Sequence, residues 1–390
     1  MNAVELQDII RSGETSRVQF KREFDNQDKI AAEMIAMSNA KGGIIVFGVE
    51  DKTGVVVGLD YANLQSTSNR VATIANELVK PAVYIVTEVV SIGGGGEAES
   101  KKVLLVHIEE GLYKPYKDSN GTIWIKQGAD KRKLTDNNEQ IRLFQHSGIL
   151  SVDEMPVANA TVADIDKVRV DEYVELIHLK TMERVSDSVL YQNLMITKNS
   201  KVTLGGLLFF GKDPQRHKPA FCVKAISFVG NSIGGLTYRD SRDITGTVPN
   251  LYKEGMLFFK QNLKYVQRGQ NFNKLGILEI AETALEELLQ NAIVHRDYSK
   301  NAPIRLMIFD NRIEIVSPGC LPNSLTIENI KAGNAVMRNN LLASYCSKMM
   351  IYRGFGSGIV RALEEQPDIE FVNDVEGEQF IVKIPREQIP

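Results

Sequence analysis

The segment from Glu282 to Tyr298, ETALEELLQNAIVHRDY, constrains the rest of the chain more than any other. Residues four apart share one face of a helix, so Glu287, Asn291 and His295 form a polar stripe. Leu285, Leu288, Leu289, Ala292 and Ile293 take the neighbouring face. The spacing predicts a helix with one buried side, flanked by a carboxylate, an amide and an imidazole. An amide oxygen suits a hard cation such as Mg²⁺, and a carboxylate one turn earlier can orient a water. A surface helix with a solvated polar edge has the same spacing, so the helix alone leaves both readings open. A second feature bears on it. Gly354, Gly356 and Gly358 alternate in a loop, and Ser357 to Leu363 reads as a helix start, where free N–H groups and the dipole favour an anion.

In this order and spacing, the helix and loop resemble the N box and the last glycine box of the GHKL ATPases. The longer wording is Asn291 to Tyr298 (NAIVHRDY), Ile308 to Gly319 (IFDNRIEIVSPG), Arg338-Asn339 and Gly356 to Ile359 (GSGI). It resembles the divergent GHKL-type domain of RecG-related transcriptional-regulator proteins. The resemblance implies an α/β sandwich that binds ATP with Mg²⁺. Asn291 would be the metal ligand, Glu287 would orient water in a weak ATPase, and Ser317, Gly319, Gly354, Gly356 and Gly358 would surround the nucleotide. One departure stands out. GHKL enzymes read adenine with an aspartate in Asp-x-Gly-x-Gly, and Ser317-Pro318-Gly319-Cys320-Leu321-Pro322 occupies that place. A serine accepts a hydrogen bond without the charge that strengthens it.

A chain of 390 residues has room for two or three domains, and 43% hydrophobic with 24% charged residues is ordinary for a soluble globular protein. The net charge of −3 does not advertise a polyanion partner, although a basic patch can sit on an acidic protein. Cys222, Cys320 and Cys346 are scattered and odd in number, without zinc-ligand spacing. A reducing cytoplasm is the expected location. No apolar run approaches the ~20 residues of a membrane span, and the N-terminus lacks a signal pattern, so no membrane partner is expected.

Residues 1–145 read as a first domain, with a helix from Asn2 to Arg11, a strand at Val18–Lys21 and a helix from Lys29 to Asn39. There follow a strand at Ile44–Val49, a hairpin through Asp51–Gly54 into Val55–Leu59, a helix from Asn69 to Val79, and strands at Val83–Val90 and Lys102–Glu109. Gly93 to Gly96 separates the last two as a flexible loop, and a final hairpin carries Trp124 and the run Lys131-Arg132-Lys133. Gly13-Glu14, Phe20-Lys21, Ser38-Asn39 with Gly42-Gly43, Phe47 to Asp51 and Lys114-Pro115-Tyr116 resemble the AlbA-like Schlafen domain, a mixed sheet with helices. The resemblance implies binding to DNA or RNA. In animal Schlafens three acidic residues cleave RNA. The first matches Glu14 and the third aligns with Asp51, but the second falls on Gln19, an amide without the charge to hold a hard cation. Candidate nucleic-acid contacts are Lys21, Lys114, Tyr116, Trp124, Lys126, Lys131, Arg132 and Lys133, since single strands bind basic grooves with aromatic platforms. A solvated face has the same composition.

Residues 146–200 read as a helical linker, with helices from Val162 to about Met182 and around Ser186 to Leu194. Residues 201–390 form a middle segment plus the GHKL-like domain. Val202 to Gln215 reads as a glycine-broken apolar strand, Ala220 to Val229 as a further strand, and Val248 to Leu263 as a helix. Gly211-Lys212 lacks the remaining Walker A residues, so a P-loop helicase is not expected. No winged helix is read after a closing strand pair at Ile369–Val372 and Glu378–Ile384, so either nucleic-acid contact relies on the first domain or the chain is truncated. The expected fold class is therefore α+β and multidomain. The expected function is a nucleic-acid-binding transcriptional regulator with a divergent ATP-binding domain. Two alternatives stand beside it: a Schlafen-type nuclease, and a nucleotide-blind scaffold whose partner is a further copy of the chain.

Overall fold

The computed structural model describes residues 1–51, 53–93, 100–177, 185–235, 237–267, 276–322, 325–350, 354 and 356–386. They form two compact units, Met1–Leu150 and Ser151–Pro390, and the class is α+β. The first unit runs α1 (Ala3–Ser12), β1 (Val18–Lys21), α2 (Gln27–Asn39), β2 (Gly43–Phe47), α3 (Tyr61–Glu77), β3 (Val79–Lys80), β4 (Ile85–Ile92) and β5 (Lys101–Ile108). It continues with β6 (Lys117–Asp118), β7 (Trp124–Gln127), β8 (Asp130–Lys133) and α4 (Asn137–His146). Its main sheet has the order β1-β2-β5-β4, with β1 parallel to β2 and the other pairs antiparallel. Period-two alternation gives both faces a core. Ile45, Phe47, Leu104 and Val106 meet Ile30 and Met34 of α2 and Val71 of α3, while Val46, Val103 and Leu105 meet Leu6 of α1.

The second unit runs α5 (Lys167–Leu176), α6 (Asp187–Asn193), β9 (Thr197–Lys198), β10 (Lys201–Val202), α7 (Leu204–Phe210), α8 (Pro214–His217), β11 (Val223–Phe228), β12 (Tyr238–Ile244) and α9 (Val248–Asn262). Then come β13 (Tyr265–Val266), β14 (Ile277–Leu278), α10 (Glu282–Val294), β15 (Ile304–Ile308), β16 (Arg312–Pro318), α11 (Ile327–Lys331), α12 (Asn340–Met349), α13 (Ser357–Glu365), β17 (Glu370–Asp374) and β18 (Gln379–Pro385). Six strands form one sheet in the order β12-β11-β15-β16-β18-β17, antiparallel except for β11 beside β15. Leu285, Leu288 and Ile293 of α10 and Phe258 of α9 share a core with Ala225, Leu306, Ile313 and Ile315 of that sheet. The opposite face carries a smaller cluster of Phe228, Met307, Phe309 and Val316.

Several segments differ from their sequence reading. Leu204–Phe210 is a helix rather than a strand: Thr203 caps it by accepting from the Gly206 N–H at 3.0 Å, and all its residues are buried. An apolar run buried on every side has no periodicity to separate helix from strand. A Cβ on Gly206 would meet the Ile196 carbonyl oxygen at 2.6 Å, so glycine there admits a neighbouring backbone rather than breaking a strand. The stretch expected as a linker, 146–200, is not one beyond Leu150. Val157, Ile165, Val170, Tyr173, Leu190, Tyr191 and Ile196 are buried in the same core as α10. Helix α3 starts at Tyr61, well before Asn69, because Asp60 caps it by accepting from the Asn63 N–H at 2.8 Å. Of the hairpin expected at Val55–Leu59, one antiparallel bridge forms, Val49 to Val56. Residues 178–184, where a helix was expected to continue, and most of the Gly93–Gly96 loop lie outside the described residues.

Candidate nucleotide site

Helix α10 is rich in Ala, Leu and Glu, which favour helix, and its end is secured carbonyl by carbonyl. The Asn291 carbonyl accepts from the His295 N–H at 2.9 Å, that of Ala292 from the Ser317 hydroxyl at 3.1 Å, and that of Ile293 from the Tyr298 hydroxyl at 2.9 Å. Asn339 Nδ2 donates to the carbonyls of Val294 and Arg296 at 2.7 and 2.8 Å. Arg338 adds a donation from Nη2 to the Cys320 carbonyl at 2.6 Å. These interactions explain why Tyr298, Ser317, Arg338 and Asn339 stand where they do. They lock the end of α10 to β16 and to the loop before α12.

One cavity, about 130 Å³ in volume, opens along the polar side of α10. Glu287, Asn291 and His295 line it together with Ser317, Gly319, Gly354, Gly356 and Gly358, so every residue singled out for the nucleotide faces a common space. Gly356, at φ +75°, caps α13, and a Cβ there would fall on the Gly333 carbonyl oxygen at 2.0 Å. That contact requires glycine on both counts. A Cβ on Gly358 would meet Glu287 Oε2 at 2.4 Å and Asn291 Nδ2 at 3.4 Å, so the loop helix presses its first turn onto the carboxylate and amide. Arg361, one turn on, donates from Nε to Glu287 Oε1 at 2.9 Å and from Nη1 to Ser357 Oγ at 2.6 Å. Its Nη2 donates to the same Glu287 oxygen. The sequence reading missed Arg361, since nothing in the spacing of α10 announces a partner from another helix.

Burial and the neighbouring Arg338 guanidinium push the His295 imidazole down to about 4, so it stands neutral at pH 7. Ile315, Leu321, Ile330, Phe380 and Val382 supply an apolar wall. Ser317, in the place of the adenine-reading aspartate, spends its proton on the Ala292 carbonyl. Its oxygen then retains acceptor capacity alone, which suits an amino group. The donor set therefore fits an adenine nucleotide: an apolar wall, an acceptor oxygen, and a close-packed helix start beside an amide and a carboxylate.

The candidate contacts of the first unit are held less freely than their sequence implied. Tyr116 is 5% exposed and belongs to the core, so it offers no stacking face. Lys126 is buried at the side chain and donates to Glu33 Oε1 and the Ala129 carbonyl, both at 2.6 Å, with Gln19 Oε1 at 3.3 Å. It neutralises a buried carboxylate on α2 and is not presented to a phosphate. Lys131 donates to the other oxygen of Glu33 at 2.6 Å, and Arg132 donates from Nη2 to both oxygens of Glu139 at 2.7 and 2.9 Å. Lys21 pairs with Asp51 at 2.5 Å, and Lys114 donates to Glu110 at 2.6 Å, where burial holds its ammonium below the usual range against the pull of that carboxylate. Lys133 is exposed, with Nζ 5.4 Å from the centre of the half-buried Trp124 ring. Of the nuclease positions, two meet each other and the third pairs with a lysine. Glu14 accepts from Gln19 Nε2 and the Phe20 N–H while Asp51 holds Lys21, and among the described residues no three His, Cys, Asp or Glu side chains form a cation site.

Comparison with known proteins matches one segment of each unit. The family model described as "Schlafen, AlbA_2" matches residues 14–135, and the one described as "Putative ATP-dependent DNA helicase recG C-terminal" matches residues 301–384. Ser317, Gly319 and the Gly354–Gly358 loop fall inside the second match, and Glu287 and Asn291 lie ahead of it. An uncharacterized ATP-binding protein of Ureaplasma parvum is 28% identical over 144 residues, covering 32% of this chain. The chain spans 41% of the length of that curated relative. The crystal structure of the DIP2311 protein from Corynebacterium diphtheriae aligns with 98% of this chain and 80% of its own, at 18% identity and a TM-score of 0.47. No helix among the described residues is long and apolar enough to cross a membrane. The chain thus joins a Schlafen AlbA_2 domain to a domain of the RecG C-terminal, ATPase-like type.

Proposed function

We propose that this protein binds ATP in the α10–α13 cavity and nucleic acid through its first unit, and acts in the cytoplasm as a regulator of transcription. The observation that carries the nucleotide reading is the meeting of Glu287, Asn291 and Gly358 on one cavity with an apolar wall. Asn291 would hold Mg²⁺, whose charge would offset that of the phosphates, and Glu287 would orient water for slow hydrolysis. The Schlafen-type domain and the pairing of exposed Lys133 with half-buried Trp124 support the nucleic-acid reading. The three cysteines are free thiols, which suits a reducing compartment.

Calorimetric titration with ATP, with and without Mg²⁺, tests the nucleotide half. Asn291→Ala should weaken binding only when Mg²⁺ is present, and Glu287→Ala should not weaken it. Equal loss in both variants would contradict these roles. For the other half, labelled DNA and RNA, single- and double-stranded, are titrated at two salt concentrations. Binding should fall with salt, each phosphate contact adding about 0.7 to 0.9 to the log-log slope, and Lys133→Glu should flatten that slope. Salt-independent binding would point away from the phosphate backbone.

A further inference from the structure

Among the described residues lining the cavity, Arg361 is the single cation and Glu287 the single carboxylate. They are paired with each other. Two nitrogens of the guanidinium converge on Glu287 Oε1, and the third reaches Ser357 Oγ at 2.6 Å. The remaining oxygen, Oε2, lies over the first turn of α13, where a Cβ on Gly358 would come within 2.4 Å. Glu287 therefore occupies the approach to a helix start whose amides and dipole favour an anion. A phosphate arriving there meets a like charge, and one guanidinium cannot fully neutralise both groups. The place along the helix matters too. Ala292, which receives the Ser317 hydroxyl, and Glu287 are separated by roughly 7.5 Å along the axis of α10, so the ion pair sits away from the end suited to a base.

We propose that Arg361 is a terminal-phosphate sensor: it pairs with Glu287 when no triphosphate is present, and exchanges that carboxylate for the last phosphate group of a bound nucleotide. The proposal rests on the nucleotide reading given above. A planar fork of donors matches phosphate as well as carboxylate, so the exchange keeps charge-assisted hydrogen bonds on the guanidinium throughout. The Arg361 side chain is 32% exposed, which leaves it room to turn. Exchange also releases Glu287, so the carboxylate is free only when a terminal phosphate has arrived.

The test is calorimetric titration of AMP, ADP and ATP, each with Mg²⁺, against the full chain and its Arg361→Ala, Arg361→Lys and Glu287→Gln variants. The wild-type chain should favour ATP over ADP by about tenfold or more, the scale of one charge-assisted interaction. Arg361→Ala should erase that preference while leaving AMP affinity within about twofold, and Arg361→Lys should restore part of it. Glu287→Gln should tighten ATP binding more than it tightens AMP binding, since it removes both the competitor for Arg361 and the like charge at the helix start. An unchanged ATP to ADP ratio in Arg361→Ala, or equal loss for all three nucleotides, would overturn the sensor role and leave a structural ion pair. Absence of binding by the wild-type chain would overturn the cavity reading itself, and the sensor with it.

Discussion

Two titrating residues of the second unit pull the pH dependence of stability in opposite directions. His295 is held down at about 4 when folded, so its contribution is complete above the ordinary imidazole value and is lost as pH falls from about 6.5 to 4. Asp153 is raised to about 6 by burial, against the Leu342 N–H it accepts at 2.9 Å. The folded state holds that proton more tightly than the unfolded one, so its contribution is lost as pH rises from about 4 to 6. Urea melts across this range should show the two contributions nearly cancelling in the wild-type chain, with His295→Gln turning the response to acidification toward a gain and Asp153→Asn turning it toward a loss, each by roughly 2–3 kcal/mol. Identical pH profiles for wild type and both variants would contradict these assignments. Gly358→Ala separates packing from helix propensity. Propensity alone would stabilise α13 by about 0.5–1 kcal/mol, whereas a Cβ crowding the space between the first turn of α13 and Asn291, whose Nδ2 would lie 3.4 Å away, should lower ATP affinity at least several-fold. Unimpaired ATP binding by that variant would show that the contact does not bear on the site. The spacing of Glu287, Asn291 and the three glycines made this side of the cavity legible in the sequence. Arg361 was not, because an ion pair between two helices leaves no local pattern.

At the level of elements, the capped end of α10 and the β7–β8 hairpin each depend on a buried polar residue. Asn339 serves two carbonyls that have no route to water, so Asn339→Ala should cost about 2–4 kcal/mol, read as a lowered denaturation midpoint. A change below about 0.5 kcal/mol would mean those carbonyls find other donors. Lys126 and Lys131 straddle Glu33 from two strands of the hairpin, and Lys126→Ala leaves that buried carboxylate half-neutralised. The expected cost is on the order of 3 kcal/mol, with nucleic-acid affinity unchanged at temperatures where the variant is folded. Selective loss of that affinity would return Lys126 to the contact surface. Strands with alternating burial, such as β2 and β5, and capped amphipathic helices were readable from pattern. Helix α7 was not, since Leu204–Phe210 is apolar all round and its two glycines read as breakers when they in fact admit Ile196 and Leu341. For the same reason Tyr116 and Lys126 looked like surface groups: composition shows which residues can contact a phosphate, and only packing shows which are already engaged.

For the whole molecule, a net charge of −3 leaves nucleic-acid binding to a local patch, and the paired state of Lys21, Lys114, Lys126 and Arg132 narrows that patch toward Lys133 and Trp124. The two units were visible in the sequence as two separate resemblances. The first unit ends at Leu150, near the expected 145, but the packing of the segment after it was not visible, because that segment carries few periodic signals although its apolar residues join the core of the second unit. The central claim is that adenine nucleotide is bound between α10, the end of β16 and the start of α13. Photolabelling addresses it most directly, using an ATP analogue with an azide on the adenine ring and mass-spectrometric mapping of the adduct. Labelled peptides should come from the cavity wall around Ile315 to Leu321 and Asn334 to Val336, and excess ATP should suppress the labelling. Labelling confined to the first unit, or unaffected by excess ATP, would contradict the account.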